Sequence, residues 1–345
     1  MVTLYRKYRP KTFAEIEGQE HVVQTLRGAL ESERTGHAYL FCGPRGTGKT
    51  TMARLFAKAI NCEALHDAEP CNKCFSCSEI NAGKSLDLIE IDAASNRGID
   101  EIRNVKESAH VAASSSTYKI FIVDEVHMLT AAAFNALLKT LEEPPSHTLF
   151  ILATTEPHKV PETILSRVQR FDFKKLDRKQ MLSKLRTIEK AEKIAIDDQS
   201  LEAIIDAASG SLRDAESALA KVMSYAGAKI TGDQTLRILG IIPRNVHEKL
   251  LENLAQKQTS SALAVISDLH ESGIHLEHFA KQFLDYLRQV LLEQLAKPDA
   301  RFQIPFLVNT IERFMEAHQE MRISPIPQLP LELAIVDLTG DNNGT

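Results

Sequence analysis

The stretch Gly43-Pro44-Arg45-Gly46-Thr47-Gly48-Lys49-Thr50 constrains this chain more than any other. It fits G-x-x-x-x-G-K-[ST] and stands where that pattern has mechanical meaning. The apolar run Ala38–Cys42 precedes it and the helix-like stretch Lys49–Asn61 follows. The glycines let backbone N–H groups close around phosphate oxygens, and the helix N-terminus adds partial positive charge. Lys49 would reach the β- and γ-phosphates of a nucleotide such as ATP. Thr50 would offer its hydroxyl to Mg²⁺, and Gly43 to Thr51 form the nucleotide-contacting segment.

Such a loop needs a sheet to carry it, and the first ~175 residues provide the pattern for one. Leu86–Ile91, Lys119–Val123, Thr148–Ala153 and Val168–Phe173 are short apolar or β-branched runs, as buried parallel strands tend to be. Helical stretches lie between them: Glu20–Glu33, Asp100–Val111 and Ala131–Glu142. The last carries Phe134, Leu137, Leu138 and Leu141 on one stripe and stops at Glu143-Pro144-Pro145. The alternation predicts a doubly wound α/β domain over residues 1–175.

From Leu176 the strand signal stops. Arg178–Ala191, Asp198–Ala208, Leu212–Tyr225 and Gly232–Leu239 read as amphipathic helices, with Asp197 and Thr231 as N-caps and Gly210 and Gly227 at breaks. Ile242-Pro243 marks a boundary. Beyond it Val246–Ala255, Ser260–Glu271, Leu276–Leu295 and Pro305–Met321 are helical, with Pro298 and Pro325–Pro330 as interruptions and a frayed tail from Asp341. Two all-α domains are therefore expected after the α/β domain, at 176–240 and 241–340.

Charge and hydropathy exclude some classes. Net charge is −5, and the excess lies in residues 241–345, with 9 Lys and Arg against 14 Asp and Glu. Any nucleic-acid contact must come from a local basic surface earlier in the chain. No apolar run approaches the ~18–20 residues of a membrane span. Met1–Lys11 carries four basic residues and no apolar core, so no secretory signal is expected and the location should be cytoplasmic.

A second element separates hydrolysis from binding. Ile120–Val123 is an apolar strand followed by Asp124 and Glu125. Two adjacent acids at a buried strand end are costly without a cation or polar ligand nearby. Asp124 would hold Mg²⁺ through water, and Glu125 would orient or deprotonate the attacking water. His127 reads as a structural or supporting histidine.

Four of the five cysteines, Cys62, Cys71, Cys74 and Cys77, are spaced C-x8-C-x2-C-x2-C; Cys42 stands apart on a strand as a core thiol. Disulfides are disfavoured in the cytosol, so the cluster reads as a tetrahedral Zn²⁺ site, with an iron–sulfur cluster or a redox role as the alternative. Four thiolates leave no open position, so the metal would be a staple for a loop poor in apolar residues.

Thr154-Thr155-Glu156-Pro157 follows another strand and can present a polar side chain to a phosphate or a water. Ser166-Arg167-Val168 precedes an edge strand, and Gly210-Ser211-Leu212-Arg213-Asp214 opens a later helix. Together with Tyr8-Arg9-Pro10, the phosphate loop, the four cysteines and Asp124-Glu125-Val126-His127, these stretches resemble the γ/τ family of bacterial DNA polymerase III clamp-loader ATPases, within the AAA+ superfamily. The resemblance covers residues 4–340. It implies an AAA+ P-loop sheet domain with a zinc insertion at 62–77, a small helical lid domain and a helical collar domain.

The resemblance also implies roles. Lys49 and Thr50 match Walker A, Asp124 and Glu125 match Walker B, and Thr155 matches sensor 1. Arg213 matches sensor 2, touching phosphate in its own subunit. Arg167 matches the arginine finger that enters a neighbour's ATP site, although Val168 stands where the family has Cys. Tyr8, Arg9 and Pro10 would flank adenine, ordinary N-terminal packing being the plainer alternative. Asn96, Arg97 and Gly98, before helix Asp100–Val111, match a region that meets primer–template DNA through phosphates. Ser95 or Asn96 as a helix cap is the plainer reading there.

The implied partners are clamp-loader δ and δ′ subunits, further copies of this chain, the sliding clamp and primer–template DNA. The family's long form continues into a Pro-rich linker with helicase- and polymerase-binding regions, so the expectation for this chain is a short, γ-type form, a truncated piece of a longer chain, or a lineage without that tail. The rivals are a non-catalytic clamp-loader scaffold and another AAA+ motor, such as a branch-migration helicase. Intact Lys49, Thr50, Asp124 and Glu125 argue against the first, and the cysteine insertion with the third helical domain against the second.

Overall fold

The computed structural model describes residues 3–226, 229–296 and 301–340. Gly227, Pro298 and the tail from Asp341 lie outside the described residues. The chain divides into two compact units, Met1–Thr235 and Leu236–Thr345.

The first unit is built on five parallel strands: β1 (Ala38–Cys42), β2 (Leu88–Asp92), β3 (Lys119–Asp124), β4 (Thr148–Thr154) and β5 (Gln169–Asp172). Their order is β2-β3-β4-β1-β5. β1 and β4 are buried at every position, which is why they read as unbroken apolar runs. One face of the sheet packs Tyr39, Phe41 and Ile151 against Met52 and Phe56 of helix Lys49–Ile60. The other packs Phe121, Phe150 and Leu152 against Phe134 and Leu137 of helix Ala131–Glu142. All five strands run the same way, so their carboxyl ends gather on one edge, where ligands of open α/β sheets bind.

Helices Arg178–Glu192, Asp198–Ala208 and Leu212–Ala226 follow within the same unit. Asp177 opens the first with a reciprocal capping box to Gln180, and Asp197 caps the second as expected. The strand signal does not end at Leu176: Ala195–Ile196 pairs in parallel with Lys229–Ile230. Two-residue strands are too short to carry a period.

Among the described residues the second unit is all-helical, with Arg244–Ala255, Thr259–Glu271, Leu276–Ala296, Ile304–Glu320 and Leu329–Thr339. The last corrects the reading of Pro325–Pro330 as an interruption, because Pro330 sits in the helix's first turn, where no N–H is missed. Phe279, Phe283 and Phe314 are fully buried at the centre. His247 stacks on Phe279 and Tyr286 at 5.6 Å each, and burial holds its imidazole down to about 4.

Candidate nucleotide site and metal centre

The phosphate loop leaves β1 with its backbone anchored on both neighbours. The Gly43 N–H donates to Thr154 O of β4 at 3.1 Å, and the Phe173 N–H, just after β5, donates to Cys42 O at 2.6 Å. Buried Gln19 ties the loop to the following chain, donating to Thr47 O at 3.4 Å and Lys174 O at 2.8 Å and accepting from the Lys174 N–H at 3.1 Å. Gly46 has φ +76°, and any Cβ there would collide with Ser211 Oγ. The Leu212 N–H donates to Gly46 O at 3.2 Å, so the helix that carries Arg213 rests directly on the loop.

Lys49 is 6% exposed. Its Nζ donates to Gly43 O at 2.7 Å and Pro44 O at 2.9 Å. Burial pulls its pKa down, against the opposing pull of Glu125 and Asp124. Thr50 Oγ1 donates to Asp124 Oδ2 at 2.6 Å, which joins the helix start to the end of β3. A hydroxyl and a carboxylate in contact beside a buried lysine are a donor set that suits a hard divalent cation such as Mg²⁺.

Glu125 has φ +49°, a left-handed backbone uncommon for a residue with a side chain. That turn aims its carboxylate across to β4, where Thr155 donates to Oε2 from Oγ1 at 3.0 Å and from its N–H at 3.3 Å. His127 lies beneath, 3.4 Å from Glu125 Oε2, 3.1 Å from Glu156 Oε2 and 3.0 Å from Thr154 Oγ1. It supports the carboxylates, as its sequence position indicated.

These groups open on a cavity of about 740 Å³. The cavity gathers Tyr8, Arg9, Pro10, Arg45 to Thr51, Asp124, Glu125 and Arg213, while Gly43, Pro44 and Thr155 do not line it. The Tyr8 hydroxyl donates to Glu192 Oε1 at 2.8 Å, and the Arg213 guanidinium stacks over Tyr5 at 4.9 Å. Two residues of this wall were not singled out in the sequence: Tyr5 under Arg213, and Glu216 one turn beyond Arg213. Glu216 is 5% exposed and has no hydrogen-bond or ion-pair partner among the described residues; burial pushes its carboxyl up to about 7.

Arg167 is not part of this cavity. It precedes β5, at the amino end of that strand, where it pairs with Glu142 at 2.6 Å and donates to Thr163 O at 2.7 Å. With Gly36, His37 and Ser166 it lines a separate open hollow. In the segment expected to meet DNA, neither Ser95 nor Asn96 caps the following helix. Both bond back to Asp92, and Gly98 is the N-cap of Ile99–Ala109 with no side-chain bond to that helix's first turn.

The sulfur atoms of Cys62, Cys71, Cys74 and Cys77 lie within 4.8 Å of one another. Cys71 and Cys77 Sγ are 3.9 Å apart. A tetrahedron with Zn–S bonds of ~2.3 Å has edges of ~3.8 Å, so the donor set fits zinc. N–H groups of Lys73 and Cys74 point at Cys71 Sγ at 3.4 and 3.3 Å and bring its pKa down to about 6. Burial pushes Cys77 up, so four thiolates this close need a cation between them. The expected irregular loop contains helix Phe75–Ala82, N-capped by Cys74 Sγ, which accepts from the Cys77 N–H. Cys42 is buried, and burial pushes its thiol up to about 11, as befits a core residue.

A parallel sheet whose first strand is flanked by the fourth and fifth, with a helical layer resting on the phosphate loop, is the architecture of an AAA+ P-loop protein. The solved structure of the Thermotoga maritima RuvB Holliday junction branch migration motor shares it, with a TM-score of 0.51 over 76% of this chain and 85% of that one, at 18% identity. Residues 18–177 match the family described as DNA polymerase III, delta subunit, and residues 230–342 match DNA polymerase III subunits gamma and tau domain III. The chain is 44% identical to the DNA polymerase III subunit tau of Bacillus subtilis, over 97% of its own length and 62% of that protein. It is 38% identical to the DNA polymerase III subunit gamma of Buchnera aphidicola, over 93% of its length and 88% of that relative. The chain belongs to the DNA polymerase III gamma/tau subunit family. It spans less than two thirds of the Bacillus subtilis tau protein.

Proposed function

We propose that this chain is an ATP-hydrolysing motor subunit of a bacterial DNA polymerase III clamp loader, working with δ and δ′ subunits and further copies of itself to open the sliding clamp and load it onto primer–template DNA. The observation that carries this reading is the convergence of Lys49, Thr50, Asp124, Glu125 and Arg213 on one cavity, with Arg167 held outside it, at the amino end of β5. Three working domains follow: 1–175 for chemistry, 176–240 as lid and 241–340 as collar. Exposed Leu295, Met315 and Leu333 on the collar helices supply apolar surface for assembly.

Lys49 and the loop N–H groups bind the phosphates. Thr50 and Asp124 would hold Mg²⁺, which would neutralise phosphate charge when bound. Glu125, fixed by Thr155, orients the attacking water and takes its proton. Arg213 senses phosphate from the lid, and Tyr8, Arg9 and Pro10 flank the base. Arg167 of a neighbouring subunit completes the site, a contribution of ~10³–10⁵ in related systems. The Asn96-Arg97-Gly98 turn meets DNA phosphates, so binding is sequence-tolerant and salt-sensitive. Cys62, Cys71, Cys74 and Cys77 would hold a zinc ion that staples the cysteine loop. Among the described residues no helix is long and apolar enough to cross a membrane, in keeping with a cytoplasmic role.

The test is steady-state ATP hydrolysis with δ, δ′ and clamp, with and without primed DNA. Stimulation by DNA plus clamp that disappears in Lys49→Ala and in Arg167→Ala is the expected result. Mixing Glu125→Gln with Arg167→Ala protein should restore part of it, because intact pairs of site and arginine reform across interfaces. No hydrolysis in any mixture, with assembly intact, would make the chain a scaffold.

A further inference from the structure

Helix Lys49–Ile60 has the phosphate loop at one end and the cysteine loop at the other, and the cysteine loop folds back onto the cavity. Asn81, on the helix that carries Cys77, lines the cavity, as do Lys58 and Lys11. Lys58 is 3% exposed, and its Nζ donates to Lys11 O at 2.9 Å, Asn72 Oδ1 at 2.6 Å and Asn81 Oδ1 at 3.0 Å. An ammonium has three protons, so each has a partner, and two of the acceptors belong to the cysteine module. Asn72 lies between Cys71 and Cys74, and its Nδ2 also donates to Lys11 O at 3.2 Å. From the same loop, Glu69 accepts the N–H groups of Phe13 and Ala14 at 2.7 and 3.0 Å. The backbone from Lys11 to Ala14 directly follows Tyr8-Arg9-Pro10 in the cavity wall; its Lys11 carbonyl and its Phe13 and Ala14 N–H groups are held by side chains of the metal loop, while the Lys11 N–H donates to Glu15.

A loop serving only to enclose a metal needs none of these bonds. We propose that the cysteine module positions the N-terminal wall of the nucleotide cavity, with Asn72 and Glu69 as positioning residues acting through Lys58 and Lys11–Ala14. The inference rests on the reading of the cavity as a nucleotide site. Metal binding and nucleotide binding are then coupled, because each favours the same arrangement of the wall.

The probe is Mg²⁺ with the fluorescent nucleotide mant-ATP, titrated into the full chain. Asn72 has φ +56°, so Asn72→Gly keeps the backbone while removing the amide's contacts to Lys58, Asn81, Lys11 and Pro70, and Asn72→Asp keeps the acceptor for Lys58. The Kd should rise about tenfold in Asn72→Gly and about threefold in Glu69→Gln, with Asn72→Asp within about twofold of wild type. Zinc content should stay constant, and amide exchange in residues 8–16 should quicken in Asn72→Gly. Unchanged affinity and exchange in Asn72→Gly would overturn the proposal. So would equal losses in Asn72→Gly and Asn72→Asp, which would mean a general loosening of the loop. A wild type that binds no mant-ATP would overturn the nucleotide reading itself and the inference with it, so the two failures are distinguishable.

Discussion

The two loops at the ends of helix Lys49–Ile60 hold their shapes by different means. The phosphate loop is shaped by backbone: it hangs between β4 and the chain after β5, Gln19 braces it, and Gly46 fits under Ser211. The buried sheet supplies its rigidity. The cysteine loop has few apolar side chains in the core, Ala68 and Cys77 among them, and is shaped by four sulfurs and a set of polar contacts. The first loop should therefore lose chemistry without losing structure when its functional side chains change. The second should lose structure first.

The largest effect sharpens this contrast. Glu125→Gln keeps the size of the side chain and an acceptor for Thr155, so hydrolysis should fall ~10²–10⁴-fold with nucleotide affinity retained. Calorimetry should show a thermal midpoint within about 2 °C of wild type. Cys74→Ser tests the other loop: metal analysis should show loss of zinc, and the midpoint should drop by about 10 °C. An unchanged midpoint would erase the distinction.

Gly46→Ala breaks the first loop's backbone logic, with a left-handed residue and a collision with Ser211 at once. Urea unfolding should show a cost of about 3 kcal/mol, and adding Ser211→Gly should recover the steric share. The smallest effect concerns pH. The Glu216 carboxyl is raised from 4.5 to about 7 by burial, so its ionisation opposes folding as pH rises. Below 4.5 both states are protonated and the penalty is absent; it is in full force above 7. Glu216→Gln should stabilise the protein at pH 8 by on the order of 2 kcal/mol and leave it unchanged at pH 4.5.

The phosphate loop and the strand beneath it were legible because residue type and backbone demand coincide there, and β1 and helix Ala131–Glu142 fall where the pattern put them. The four cysteines were legible as a ligand set. Helix Phe75–Ala82 was not, because its N-cap is a cysteine thiol, a role that spacing does not announce. Helix Leu329–Thr339 was hidden behind its own first-turn proline. The braces of the site depend on contacts across long separations, such as Gln19 with Lys174 and Gly46 with Leu212. Glu216 reads locally as an ordinary helical residue; only the fold reveals that it is buried and unpaired.

If Glu125 activates the attacking water as proposed, its left-handed backbone sets thermal robustness against turnover. Glycine would relieve the torsional penalty, which costs other residues about 1 kcal/mol or more, but it carries no carboxylate. A search that rewarded heat resistance alone would drift toward Glu125→Gly and collect sturdy, silent proteins. Screening this family for stability without a turnover assay would therefore enrich the wrong sequences at this position.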